Sequence, residues 1–333
     1  MNRKITDKLA TGVFGLCAAV IAAILAGLFL YILIHGVSEI SLRFLTSKSS
    51  AIASGGGIRD QLFNSFYILF ITMLITIPLG VGGGVFMAEY APQNKITDFI
   101  RTCIEVLSSL PSIVIGMFGM LMFVNLTGWG YTIIGGALAL TVFNLPVMVR
   151  VTEGALTAVP KELKEASLAL GVSRWHTVKT VLIPSAIPSI LTGAILASGR
   201  VFGEAAALLF TAGLTTPRLN FTDLNPFSES SPFNIFRPAE TLAVHIWSVN
   251  TQGIIPDAEA IANGGSAVLV ISVLLFNLSA RWLGSVIYKK AYGKLIGKRR
   301  KHDRSHHQGT SGTDKAFAGV FDFGSEAFIN LLR

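Results

Sequence analysis

Charge is scarce in this chain. Of 333 residues, 14% are Asp, Glu, Lys or Arg, and 51% are hydrophobic. Soluble domains carry about a quarter charged residues, so an ordinary water-soluble globule is excluded and a bilayer is the expected solvent. Cysteine is nearly absent. Cys17 and Cys103 are the whole complement, and both fall in or beside apolar segments. Two such residues give no disulfide framework and no metal spacing, which leaves ordinary packing thiols. The Gly-x-x-x-x-Gly-Lys-Ser/Thr phosphate loop is missing too, since the stretch GKLIGKRR from Gly293 does not fill the pattern. ATP hydrolysis by this chain alone is therefore not expected. Ser, His and Asp show no catalytic arrangement and the apolar runs hold no metal cluster. A membrane enzyme is the least favoured class, and no catalytic or metal residue is assigned.

Base exceeds acid, giving a net charge of +8. Such an excess suggests nucleic acid until its distribution is considered. Much of it lies between Lys289 and Arg304, where KRRKHDRSHH suits anionic lipid better. His302, His306 and His307 in this tail lack well-spaced metal partners, and a solvated tail is expected.

Long apolar runs are what the chain has in quantity. Arg3, Lys4 and Lys8 precede a run from Thr11 to about Ile34. It exceeds the roughly 7–15 residues of a signal-peptide core and is long enough to span, so it reads as an uncleaved anchor. A second run, about Phe63 to Ala88, contains Pro78 and the triple glycine Gly82–Gly84. These mark close helix packing or a local kink. A third, about Ile104 to Leu126, is broken at Pro111 within LPSIVIG, with Glu105 near its interfacial end. A fourth covers about Tyr131 to Val149, with Asn144 and Pro146. A fifth covers about Ser185 to Ala212, and a sixth about Gly265 to Tyr288. Within the long connection between the last two, AETLAVHIWSVN has the pattern of a short amphipathic helix.

The expected fold is all-α, a polytopic membrane protein with about six transmembrane helices. Residues 1–62 form an N-terminal anchor and external loop, 63–298 a transmembrane domain, and 299–333 a basic, flexible tail. Lys and Arg in the N-terminus, the Glu89–Arg101 loop, the Glu153–Pro184 stretch and the tail put these on the cytoplasmic side. Six spans then place both termini inside and the 213–263 connection outside. Arg43, Lys48 and Arg59 in the first external loop run against the trend.

Between the fourth and fifth runs lies an island of charge, EGALTAVPKELKEASLALGVSRWHTVKTVLIP, from Glu153 to Pro184. Pro160 suits the first position of a helix, and Glu162 suits its positive end. Leu163, Ala166, Ala169 and Leu170 share one apolar face. Gly171 can close the helix in the left-handed conformation, and Ser173 can cap a second helix that Pro184 stops. The pattern is helix, turn, helix. A DNA-binding helix-turn-helix, in a membrane-anchored regulator, is one reading. The second helix runs straight into apolar sequence, however, and a bilayer there would block a duplex. A handle on which another protein pulls is the favoured reading, and a solvated amphipathic loop is the bland one.

The fifth run carries Arg200 and Glu204, four residues apart and so on one face of a continuous helix. A charge at the bilayer centre costs about 2.5–3.5 kcal/mol on the insertion scale. Two readings stand: a mutual salt bridge that fixes packing, or Arg200 as an anion ligand with Glu204 as its orienter or gate. Gly199 and Gly203 give close helix contact or room for a ligand. Arg150 and Glu153, where the fourth run ends, either line the inner mouth of a pathway or mark the interface. A planar guanidinium suits a tetrahedral oxyanion without choosing among phosphate, sulfate or others.

Glu165, Ala166 and Ser167, then Gly171, then Val181, Ile183 and Pro184, match Glu-Ala-Ala, three residues, Gly, nine residues, aliphatic, one residue, aliphatic, Pro. Over these 20 residues, with Ser for the second Ala, the chain resembles the EAA loop of ABC-importer permeases. LPSIVIG, NLPVMVRVTEGAL and GRVFGEAAALLFTAG extend the resemblance, over roughly Glu105 to Gly213, to the phosphate-importer permeases of the PstA type. The resemblance implies a type I ABC importer permease in a prokaryotic inner membrane. In it, Glu165, Ala166, Gly171 and Pro184 couple to an ATPase. Arg150, Glu153 and Arg200 serve transport, and Glu204 is added on physical grounds. It also implies partners: a second, PstC-like permease subunit, a PstB-like cytoplasmic ATPase dimer that uses the ATP, and a PstS-like extracytoplasmic phosphate-binding protein. No cofactor is expected on this chain. Sulfate and molybdate permeases share the loop and remain alternatives. The tail after Lys298 departs from the family's usual short ending.

Overall fold

A computed structural model describes residues 3–49, 55–252 and 256–306. All regular structure among them is helical. In chain order the helices are α1 (Arg3–Val37), α2 (Leu42–Thr46), α3 (Arg59–Val85), α4 (Lys95–Ser109), α5 (Ser112–Gly119) and α6 (Ile133–Thr157). Then come α7 (Lys161–Ala169), α8 (Arg174–Thr177), α9 (Ile183–Phe202), α10 (Ala206–Thr211), α11 (Leu242–Gln252) and α12 (Ala258–His306). Wider π turns continue α3 over Phe86–Tyr90, α5 over Met120–Leu126 and α8 over Val178–Leu182. The chain divides into two compact units, Met1–Trp282 and Leu283–Arg333. In the second, the backbone is helical to His306, which includes the first residues of the expected 299–333 tail. Residues 307–333, with His307, and the side chains of the basic run, with His302 and His306, lie outside the described residues.

Five helical stretches are long and apolar enough to cross a bilayer: Leu9–Val37, Arg59–Tyr90, Ile133–Thr157, Arg174–Phe202 and Ala258–Val286. The sixth expected span is a bent pair, Lys95–Ser109 and Ser112–Leu126, which meet at 99°. Pro111 supplies the break, as expected. The arm after it is 15 residues, shorter than the ~20 of a full crossing. Residues 9–31 of α1 are exposed, and Gly36 near its end is buried against α12. A helix that is apolar all round suits lipid or the face of another membrane helix.

The bundle's axis is α3 against α6. Cβ atoms built at Gly80 and Gly83 would meet Met148 and Val149, and one at Gly84 would meet Thr152 and, at 2.8 Å, the Val149 carbonyl. At Gly82 nothing lies within 4 Å. The glycines of the second run therefore serve close packing on one face. Two apolar cores flank this contact. One joins Ile68, Leu69 and Met73 of α3 to Leu140 of α6, Val201 and Phe202 of α9, and Leu208 of α10. The other joins Val85, Met148, Leu156, Val178, Leu182 and Ala186. A third, at the opposite end from α7, gathers Phe44, Ile58, Leu242, Val249 and Ile261. There α11 realises the short amphipathic helix expected between the fifth and sixth spans.

Pro184 does not stop a helix. It lies in the first turn of α9 and the helical run Arg174–Phe202 continues through it; the π turn Val178–Leu182 directly before it is the local adjustment that accommodates a proline within a membrane helix. Pro160 likewise precedes α7 by one residue, as its cap, with φ −52° and ψ 130°.

Candidate functional site

Arg200 and Glu204 do not share a helix face. The fifth run breaks at Gly203, which caps α9, and the chain restarts at α10. Beyond that break Glu204 turns to the new helix, where its Oε1 accepts a weak bond from the Ala207 N–H at 3.4 Å. None of the ion pairs among the described residues includes Arg200. Its guanidinium instead lies 3.8 Å from the ring centroid of Phe143 on α6. Phe143 itself is buried, while Arg200 is exposed. A cation over a ring is held by the quadrupole, and among the described residues no hydrogen bond or ion pair takes up the guanidinium's in-plane N–H donors. Gly199 packs on the Asn277 side chain of α12, with a built Cβ 3.3 Å from its amide nitrogen, and a Cβ built at Gly203 would make an ordinary contact with the Gly199 carbonyl at 3.8 Å.

Arg150 and Glu153 do not pair with each other either. Both reach across to α4. Arg101 meets the Glu153 carboxylate at 3.0 Å through Nε and Nη2. Arg150 Nη2 meets Glu105 Oε1 at 2.9 Å. Positions 101 and 105 are one turn apart on α4, and 150 and 153 one turn apart on α6, so the pairs stack as two rungs between the helices. The Arg150–Glu105 rung is open, its side chains 60% and 55% exposed. Arg150 lies two turns along α6 from Phe143. The helical period therefore brings Arg150 and the ring that holds Arg200 to the same side of α6.

The polar island folds as the spacing predicts. Lys161–Ala169 is helical and Gly171 adopts φ +76°, a left-handed turn that suits glycine. The Ser173 side chain accepts the His176 N–H to cap α8. The Ser167 and Thr177 hydroxyls meet at 2.9 Å and tie α7 to α8. Glu165 and Ala166 are exposed on α7, together with Leu163, Leu168, Leu170 and Trp175. Val178 and Leu182 anchor the loop in the core against α3 and α6.

A buried polar network at the far end of α3 escaped the sequence reading. Gln61 Nε2 donates to Glu240 Oε2 at 2.9 Å, and His245 Nδ1 lies 3.0 Å from Glu240 Oε1. Asn64 donates to the Glu240 carbonyl and to Thr216 Oγ1, and its Oδ1 accepts from Arg237 Nη2 at 2.8 Å. Arg237 Nη2 also reaches the Pro232 carbonyl, and Ser65 Oγ accepts the Leu242 N–H. Burial pushes the Arg237 guanidinium down to about 10, with Tyr67 and Asp60 opposing. In the same connection, bonds from Ser228, the Asn225 N–H and Ser230 hold Asp223 below its usual range. The available signal was a polar face, Asp60-Gln61 and Asn64-Ser65, one turn apart at the head of an apolar run. Among the described residues no group of three or more His, Cys, Asp or Glu is placed to hold a metal.

A multi-pass helical bundle with a polar helical hairpin inserted between two spans is the architecture of a membrane transport permease. The chain belongs to the family of binding-protein-dependent transport system inner membrane components, which matches residues 80–291. It is 89% identical over 290 residues to the probable ABC transporter permease protein YqgI of Bacillus subtilis (strain 168), covering 87% of this chain and 99% of that one. It is 35% identical over 248 residues to the phosphate transport system permease protein PstA of Xylella fastidiosa (strain 9a5c), covering 74% and 82%. Among solved structures, the bacterial alginate ABC transporter with a pentasaccharide-bound periplasmic protein aligns with TM-score 0.58 at 13% identity, over 86% of this chain and 98% of that one. The inward-facing MetNI methionine transporter aligns with TM-score 0.52 at 19% identity, over 68% and 93%. Both show the fold.

Proposed function

We propose that this chain is the PstA-type permease subunit of an ATP-driven phosphate importer, forming half of its translocation pathway. The carrying observation is the Arg200 guanidinium, held over Phe143 and exposed, with no carboxylate in ion-pair reach among the described residues. A planar fork of N–H donors fits the paired oxygens of phosphate. The PstA relatives support the same cargo. Arg150 is the second cation on the route, with Glu105 as its counter-charge, and Glu153 holds Arg101. Glu204 orders the turn after Arg200 and is not its ion-pair partner.

Glu165, Ala166, Gly171 and Pro184 belong to the coupling loop. The exposed apolar side chains Leu163, Leu168, Leu170 and Trp175 offer a face for a cleft on a cytoplasmic ATPase. A PstB-like ATPase dimer would supply the energy, a PstC-like subunit the other half of the path, and a PstS-like protein the phosphate. Both termini and α7–α8 face the cytoplasm, and residues 213–252 face outward. Closure of the ATPases would bias a two-state equilibrium toward the outward-open form.

The test is phosphate uptake by cells lacking their own high-affinity system and supplied with this chain and its partner subunits. Uptake should require the chain and collapse in Arg200→Ala at unchanged membrane levels. Uptake that persists in the variant makes Arg200 structural. Uptake of sulfate or molybdate in place of phosphate keeps the architecture and overturns the cargo.

A further inference from the structure

Both helices of the α7–α8 hairpin send a cation to the same place, the π turn that ends α3. Lys164 Nζ of α7 lies 2.7 Å from Glu89 Oε2, and the Arg174 guanidinium of α8 lies 5.5 Å from the ring centroid of Tyr90, the next residue. The Glu89 carboxylate is 7% exposed and Lys164 29%. The approach is charge to charge, since Glu89 Oε2 receives no hydrogen bond of good angle. Breaking such a pair strands a buried charge, which is strongly destabilising, so the contact resists being pulled apart. The Ser167–Thr177 bond makes the hairpin itself one piece. From Tyr90 the helical run is continuous back to Arg59. Beside its far end, Gln61 and Asn64 grip Glu240.

We propose that Glu89 and Tyr90 form a clamp by which the α7–α8 hairpin drives α3 directly, so that a stroke on the hairpin is delivered along α3 to the connection between α10 and α11. Through the chain alone, the hairpin is attached to α6 and α9. The apolar anchor of Val178 and Leu182 sets the base of the hairpin against α3, and the clamp adds a charged grip from both hairpin helices on the end of α3, the helix whose other end holds the outer connection. Lys164 and Glu89 are thus positioning residues for coupling, distinct from the Glu165–Gly171 face that meets the ATPase. The inference rests on the coupling role proposed for the hairpin and not on the nature of the cargo.

The test uses the assembled transporter with its ATPase, in lipid nanodiscs, with Cys17 and Cys103 replaced by alanine. Spin labels on Phe70→Cys of α3 and Lys161→Cys of α7 report the distance between the two bodies. With the clamp intact, that distance should be the same with and without ATP–vanadate. In Glu89→Gln it should shift or broaden when nucleotide is trapped, and the charge swap Glu89→Lys with Lys164→Glu should restore it. Lys164→Met carries the same expectation where Glu89→Gln fails to assemble. In proteoliposomes, inorganic phosphate moved per ATP hydrolysed should fall at least about fivefold in the single variants, the low end of coupling between sites. A nucleotide-dependent distance in the parent, an unchanged one in the variants, or a swap no better than the single changes overturns the clamp. If the parent moves no phosphate, the cargo assignment fails while the distances still decide the clamp.

Discussion

Phe143 is the residue that gives Arg200 its pose. A cation–π contact is worth about 0.5–2 kcal/mol, depending on desolvation. Phe143→Leu keeps the core filled and removes the ring's field, so the KM for phosphate should rise roughly fivefold, the effect of about 1 kcal/mol. Uptake kinetics in the complemented strain check this, and an unchanged KM would show that the ring only packs. Arg237 answers to a different rule. Its bonds to Asn64 and Pro232 are made in a buried site, and charge-assisted bonds of this kind are worth about 1.5–3 kcal/mol. Arg237→Met should loosen the 213–241 segment, seen as faster protease nicking there. The pH sign is fixed as well. A cation with a lowered pKa carries its folding penalty at every pH below about 10 and sheds it only as pH rises past that value. The pH dependence of nicking in the parent should therefore owe nothing to Arg237 between about pH 6 and 9, because the group stays protonated in both states there.

At the scale of elements, the contact between α3 and α6 depends on glycines that are not equivalent. Gly84→Ala would drive a Cβ into the Val149 carbonyl and the Thr152 side chain, and overpacking costs about 1–3 kcal/mol. Gly82→Ala meets nothing in this chain and should be neutral or stabilising, by up to about 1 kcal/mol from helix propensity. Thermal unfolding of the purified complex in detergent should separate them, with a lower midpoint for Gly84→Ala only. Equal behaviour would mean that α3 and α6 part easily. Sequence alone placed the triple glycine in a helix but left packing and kink open, because one helix's residues do not say which face meets a neighbour. Pro111 likewise announced a break, and the 99° between its arms comes from how α5 lies on α6 and α10.

For the whole molecule, the central expectation is orientation. A cysteine at Leu170 should react with an impermeant maleimide only in inside-out vesicles, and one at Phe227 only in intact cells or spheroplasts. Labelling of both from one side would invalidate the topology. Leu170 is 83% exposed and Phe227 86%, so reactivity reports sidedness and not burial.

The sequence by itself determined the solvent, the approximate spans, the hairpin with its left-handed Gly171 and the family, because hydropathy, caps and motif spacing are local properties of the chain. It also marked Arg150, Glu153 and Arg200 as the charges to watch. Tertiary structure alone decided their partners. Glu204 left Arg200 because Gly203 ended the helix between them, and Arg150 and Glu153 each took a partner 45 or more positions away on α4. Lys164 found Glu89, and Gln61 found Glu240. Each of these pairs joins segments distant along the chain, and only packing fixes which buried or interfacial charges come within reach of one another.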